Sequence, residues 1–200
     1  MKKRTALLLC SLLLSLAAQR VAALELTVIN GAALDDALMS EVLTFCNEQL
    51  PFTLSAKTET LSCETPETCQ DTLEALKTET DAALIGLIRL DDPNFHQAIN
   101  TNRLIALINV TPLLTDDPRT SAWRLERMIM RSVAFLLGIP PAPDPNCVTR
   151  NYESLEDFDT MGRNFTPPYN PVIPQKALEL SITLDPEPTD GTRTPASAGQ

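Results

Sequence analysis

The sequence predicts a single α/β domain, a mixed and twisted sheet packed by helices. Strand-like and helix-like segments alternate along the chain in the order β-α-β-α-β-β-α, the pattern of helices laid on a largely parallel sheet. Two continuous apolar runs, residues 82–88 and 103–110, have the character of strands buried on both faces. A long amphipathic segment between Pro118 and Gly138 ends on Gly and then Pro140 and Pro141, a firm helix stop. With 200 residues and 44% hydrophobic content, the chain can bury one sizeable core.

Residues 26–29 are a short β-branched run closed by Asn30 and Gly31, an opening strand. Residues 35–50 carry Leu38, Val42, Leu43 and Phe45 at helical spacing and stop before Pro51. Residues 52–56 alternate as a second strand. Residues 68–80 form a second helix with Leu73 and Leu76 on its apolar face. The two apolar runs follow, the second leading into Thr111 and Pro112. In the long helix, Asp117 or Ser121 is placed to cap the start, and Leu125, Met128, Ile129, Ser132 and Leu136 share one face. Pro140, Pro141, Pro143 and Pro145 then force an extended segment, and residues 174–180 add a short helix.

The ends are expected to lie outside this domain, which is bounded at residues 24–180. Lys2, Lys3 and Arg4 precede an apolar stretch and the small residues Ala22 and Ala23, the layout of a signal peptide over residues 1–23. The apolar run is shorter than the roughly 20 residues a bilayer needs, and Arg20 interrupts it, so no integral membrane segment is expected after cleavage. Residues 181–200, rich in Pro, Thr and Asp, are expected to be a disordered tail. Cleavage removes four of the 16 basic residues and no acid, leaving 12 against 26 and a formal charge of −14. Nucleic acid is therefore not an expected partner. The destination is periplasmic or extracellular.

Four cysteines remain in the mature chain: Cys46, Cys63, Cys69 and Cys147. An even number in an exported protein favours disulfides, with three connectivities open. Cys63 and Cys69 flank a turn-rich loop that brings them together, leaving Cys46 to pair with Cys147. A four-thiolate zinc site is the rival, but the spacing does not suit it.

Few other residues offer chemistry. His96 is the only histidine, so a site with two or three His ligands is impossible. Asp91–Asp92 and Asp116–Asp117 each precede a Pro and are expected to serve turns and caps. Arg124, Arg127 and Arg131 fall at i, i+3 and i+7, three guanidinium groups along one helical stripe. The stripe either binds an anion or pairs locally with acids such as Asp157 and Asp159, and local pairing is the more frequent fate of such a stripe. Asn109 and Asn164 each open a glycosylation sequon.

The spacing from Arg131 through Gly138 and Cys147 to Tyr169 resembles the archaemetzincins, whose signature is HExxHxxGxxHCx4CM followed after seventeen residues by CxxC. Gly138 and Cys147 match that frame. The three zinc histidines fall on Arg131, Phe135 and Pro141, and the catalytic Glu falls on Ser132. The Cys after the third His falls on Ala142, the Met on Val148, and the last two Cys on Thr166 and Tyr169. The match extends from about residue 24 to 169, but only residues 131–169 align position by position.

The resemblance implies a metzincin-like domain with the former HExxH helix under the sheet. It also implies a zinc metallopeptidase, yet every departure falls on a residue that would carry that activity. A guanidinium repels a metal ion, and Phe and Pro side chains hold no donor atom. The expectation is thus an exported, catalytically inactive archaemetzincin-like pseudoprotease without a cofactor, acting as a peptide- or protein-binding or structural envelope protein. The enzymatic alternative is peptidase chemistry through a non-standard metal or a Cys–His pair. If the metal is lost, disulfides are expected to replace its contribution to stability.

Overall fold

The computed structural model describes residues 23–186. Its centre is a five-stranded sheet in the order β2-β1-β3-β5-β4, with β1 at Glu25–Asn30, β2 at Leu54–Lys57, β3 at Asp81–Ile88, β4 at Gln97–Asn100 and β5 at Ile105–Asn109. Three of its four pairings, β2–β1, β1–β3 and β3–β5, are parallel, whereas β4 runs antiparallel to β5 at the sheet edge. All eight residues of the central strand β3 are buried, as a continuous apolar run requires.

Helices cover both faces. Helix α1 (Asp36–Gln49) and α3 (Pro118–Leu136) share one face and the larger core, with Leu26, Val28, Ile85, Leu87 and Ile108 beneath them. Helix α2 (Pro66–Leu76) covers the other face over Ile29, Leu84, Ile105 and Leu107. Two short helices, α4 (Leu155–Asp159) and α5 (Val172–Glu179), close the chain against the α3 side.

Caps explain several boundaries. The Asp35 carboxylate accepts from the Leu38 N–H at 2.9 Å, and Thr65 and Thr68 form a reciprocal capping box ahead of α2. Helix α2 therefore begins at Pro66, before the expected 68, and ends at Leu76, so Lys77 to Thr80 already lead into β3. Strand β4 and helix α4 were not anticipated.

Asn109 organises the approach to β4. Its amide donates to the carbonyls of Leu90, Asp92 and Phe95 at 3.0–3.2 Å, and its oxygen accepts from the Leu90 N–H at 3.0 Å. Being fully buried, it is no glycan acceptor in the folded chain. The second sequon also turns inward, with Asn164 Oδ1 and Thr166 Oγ1 both enclosed.

Two expectations need correction. The packed chain continues past residue 180: Leu24 pairs with Ile182, itself 2% exposed, and the Asp185 N–H donates to the Pro51 carbonyl at 2.8 Å. Cys63 and Cys69 form a disulfide, but Cys46 and Cys147 are separate, buried thiols. Cys46 lies near Glu126 and Cys147 near Arg131. Those two α3 residues are five apart, about 140° around the helix, so the body of α3 separates the thiols. The expected signal peptide lies outside the described residues except for Ala23, as does the tail beyond Pro186. Among the described residues no helix is long and apolar enough to cross a membrane.

Candidate functional site: the groove between β4 and the end of α3

Helix α3 is the platform. Asp117 caps it, its two carboxylate oxygens accepting from the N–H groups of Arg119 and Thr120 at 3.2 and 3.1 Å, with Pro118 in the first turn. At the other end Gly138 adopts φ +73°, and the Ile139 N–H donates to the Ala134 carbonyl at 2.9 Å while Gly138 N–H donates to Phe135. This is a Schellman ending, and it swings the chain after α3 back beside the helix.

The four positions of the frame hold side chains with other duties. Arg131 is 5% exposed and, among the described residues, has no carboxylate partner. Its Nη1 donates to the carbonyls of Val148, at 2.9 Å, and Arg150, and its guanidinium lies 5.0 Å from the Phe135 ring centre and 5.1 Å from that of Tyr152. Burial pulls its pKa below the ordinary arginine value. Ser132 donates to the Met128 carbonyl at 2.9 Å and accepts from Gln97 Nε2 at 2.7 Å, tying β4 to the helix. Phe135 is partly buried, and Pro141 is exposed beside it.

These side chains do not fit the zinc that the frame would hold. A guanidinium, a phenyl ring and a pyrrolidine offer no lone pair to a metal, and Ser132 is no carboxylate base. Among the described residues, no three His, Cys, Asp or Glu side chains come together as a substitute. His96 is occupied elsewhere: its Nδ1 lies 3.1 Å from the Tyr152 hydroxyl, with the rings stacked at 5.8 Å. Burial lowers the His96 pKa, and Arg124 adds to that, while the Pro93 carbonyl and Asp92 oppose it. Cys147 pairs with the Thr149 hydroxyl at 3.2 Å rather than with His96.

The geometry instead leaves an open groove of about 370 Å³, lined by Ile99, Thr101, Phe135, Gly138, Ile139 and Pro141. Among the described residues no ionisable group lines it. One wall is β4, the sheet edge. Asn109 N–H donates to the His96 carbonyl, so by the alternation of an antiparallel ladder Gln97 and Ile99 direct their N–H and C=O groups away from β5. Apolar walls thus sit beside backbone donors and acceptors that meet no partner among the described residues.

The arginine stripe is engaged largely within the protein. Arg124 holds Asp159 through two bonds of 2.8 and 2.6 Å. Arg127 donates to the carbonyls of Met161 and Asp159, both at 3.0 Å, and Arg131 to those named above. Arg150, outside the stripe, holds Asp157 at 2.6 Å. Local pairing was the expected fate, and Asp159 is one of the expected partners; backbone carbonyls supply most of the remainder. Together they fasten the loop carrying Cys147 and α4 to the flank of α3.

The sequence matches no protein-family model and no curated protein. Solved structures do match. The archaemetzincin of Methanopyrus kandleri superimposes with a TM-score of 0.64 at 18% identity, over 80% of this chain and 99% of that one. The fold is archaemetzincin-like. The archaemetzincin of Archaeoglobus fulgidus, solved with malonate, gives 0.59 at 14% identity over 76% and 99% of the two chains. A zinc-dependent peptidase from Methanocorpusculum labreanum gives 0.58 at 11%, over 74% and 98%. The likeness spans nearly the whole of each neighbour, 98–99% of its chain.

Proposed function

We propose that this is an exported, catalytically inactive archaemetzincin-like protein that holds an extended peptide or protein segment along β4. The observation that carries the reading is the groove itself. Phe135 and Pro141, at two positions where the signature has zinc histidines, form its apolar wall, next to a sheet edge with unused hydrogen-bonding groups. Strand addition to such an edge needs backbone bonds for affinity and pockets for alternate side chains for selectivity, and neither needs a metal. The neighbours' zinc chemistry does not transfer, because the donor atoms are missing at Arg131, Phe135 and Pro141.

Two measurements test this together. Elemental analysis after zinc loading and desalting should find far less than one zinc per chain, with no hydrolysis of a peptide library. Amide resonances of Gln97 and Ile99 should shift on adding library peptides and stay put with a Phe135→Asp variant. One tightly held zinc per chain with chelator-sensitive cleavage would overturn the reading and make the peptidase alternative the leading one.

A further inference from the structure

At the opposite end of α3 lies a second pocket, about 160 Å³, lined by Thr120, Trp123, Arg127 and Asp159. Arg127 and Phe135 are eight residues apart, about 12 Å along the helix, so this pocket is distinct from the groove. We propose that it is a carboxylate-binding site centred on Arg127.

Arg127 is 6% exposed, and its Nε and Nη2 are pinned to the Met161 and Asp159 carbonyls. That fixes one edge of the guanidinium fork. Among the described residues, both hydrogens on Nη1 and the second on Nη2 meet no protein acceptor. A carboxylate is planar and accepts two parallel N–H bonds, which suits a fork already held in place.

The carboxylates nearest to Arg127 are committed to other groups. Asp159 lines the pocket but is gripped by Arg124, Glu126 by Arg163 at 2.7 Å, and Asp117 accepts the capping bonds of α3. Arg127 and Arg119 are left without a carboxylate of their own among the described residues. A buried guanidinium with only carbonyl partners gains from a compensating anion. A singly charged carboxylate suits a pocket that also holds Asp159 better than a doubly charged phosphate does. Trp123 supplies an apolar wall, with Arg119 4.3 Å and Arg163 4.9 Å from its ring centre. The volume is that of about five liquid waters, enough for a short carboxylate or a chain end but not for a large ligand.

Trp123 is the only tryptophan, so its indole resonance reports on this pocket without ambiguity. The ¹⁵N-labelled protein is titrated with acetate, with acetyl-Gly-Gly as free acid, and with the same peptide amidated, at ionic strength matched with chloride. Saturable shifts at the indole and the Arg127 Nε–H are expected with both carboxylates and not with the amide. Arg127→Gln should weaken them about tenfold or more, the usual worth of a charged hydrogen-bonded pair. If that variant fails to fold, the acid-against-amide comparison on the unaltered protein decides alone. Tighter binding of the peptide acid than of acetate would identify chain ends as the source, and equal binding would identify small free carboxylates. No saturable shift beyond chloride, or an amide that matches the acid, would overturn the proposal.

Discussion

Replacing Gly138 with Ala isolates the turn that delivers Ile139 and Pro141 to the groove. Gly138 has φ +73°, and a Cβ built there meets nothing within 4 Å. No steric neighbour contributes, so the cost is the residue's own left-handed conformation, about 1–2 kcal/mol for an L side chain. Reduced freedom of the unfolded chain returns about 0.4–1 kcal/mol. The net loss should be about 1 kcal/mol, read as a lower urea midpoint with an unchanged slope. Asn tolerates the left-handed region better than Ala, so Gly138→Asn should lie between the two. Ala as stable as Gly, or Asn costing more than Ala, would refute the reasoning, because the positive φ would then not be what holds the turn. A loss above about 3 kcal/mol would refute it differently, by showing a packed neighbour where open space is described.

Two further outcomes follow from the site. Because burial depresses the native His96 pKa, its contribution to stability is full above its unfolded value of about 6.5 and is lost as pH falls through the lower native value. Urea unfolding at stepped pH should show a shallower decline just below 6.5 in His96→Gln than in the parent, and identical slopes would reject the assignment. Thiol counting should find Cys46 and Cys147 unreactive in the native protein and both reactive in denaturant without reductant, while Cys63 and Cys69 appear only after reduction. Burial pushes the Cys46 thiol far up, which slows its native reaction further. No free thiol in denaturant would restore the Cys46–Cys147 bridge.

The sequence carried the strands and long helices because their signals are local. The apolar run of β3 and the Asp117-to-Gly138 framing of α3 depend on residues within a few positions of one another. The Gln97–Asn100 strand was missed because four residues with two polar amides carry little periodicity; its place is set by Asn109, which holds residues 90–95 from a distance. Helix α4 did leave a signal, since Ser154 caps the Asp157 N–H at 3.2 Å, but five residues are too few for an apolar face. At the site, the lack of metal-donor side chains at Arg131, Phe135 and Pro141 was legible residue by residue. What fills their place was not: Tyr152 reaches Arg131 and His96 only through the folded loop, and nothing near position 152 announces it. The second bridge failed for the same reason. Counting cysteines gives pairings, but α3 standing between two of them is a property of the packing.

The bridge between Leu24 and Ile182 has a practical meaning for handling the molecule. Leu24 N–H donates to the Ser181 carbonyl at 3.2 Å and Thr183 N–H to the Leu24 carbonyl at 3.4 Å, so the two ends of the folded unit leave from one corner. That corner leads into β1, three strand positions from β4 and about 14 Å across the sheet. An affinity tag, a fluorophore or a surface anchor fixed at either end would stand clear of the groove by the same margin. The adjacency also makes the domain a good subject for circular permutation, with a short linker from residue 183 to 24 and new ends opened elsewhere on the surface.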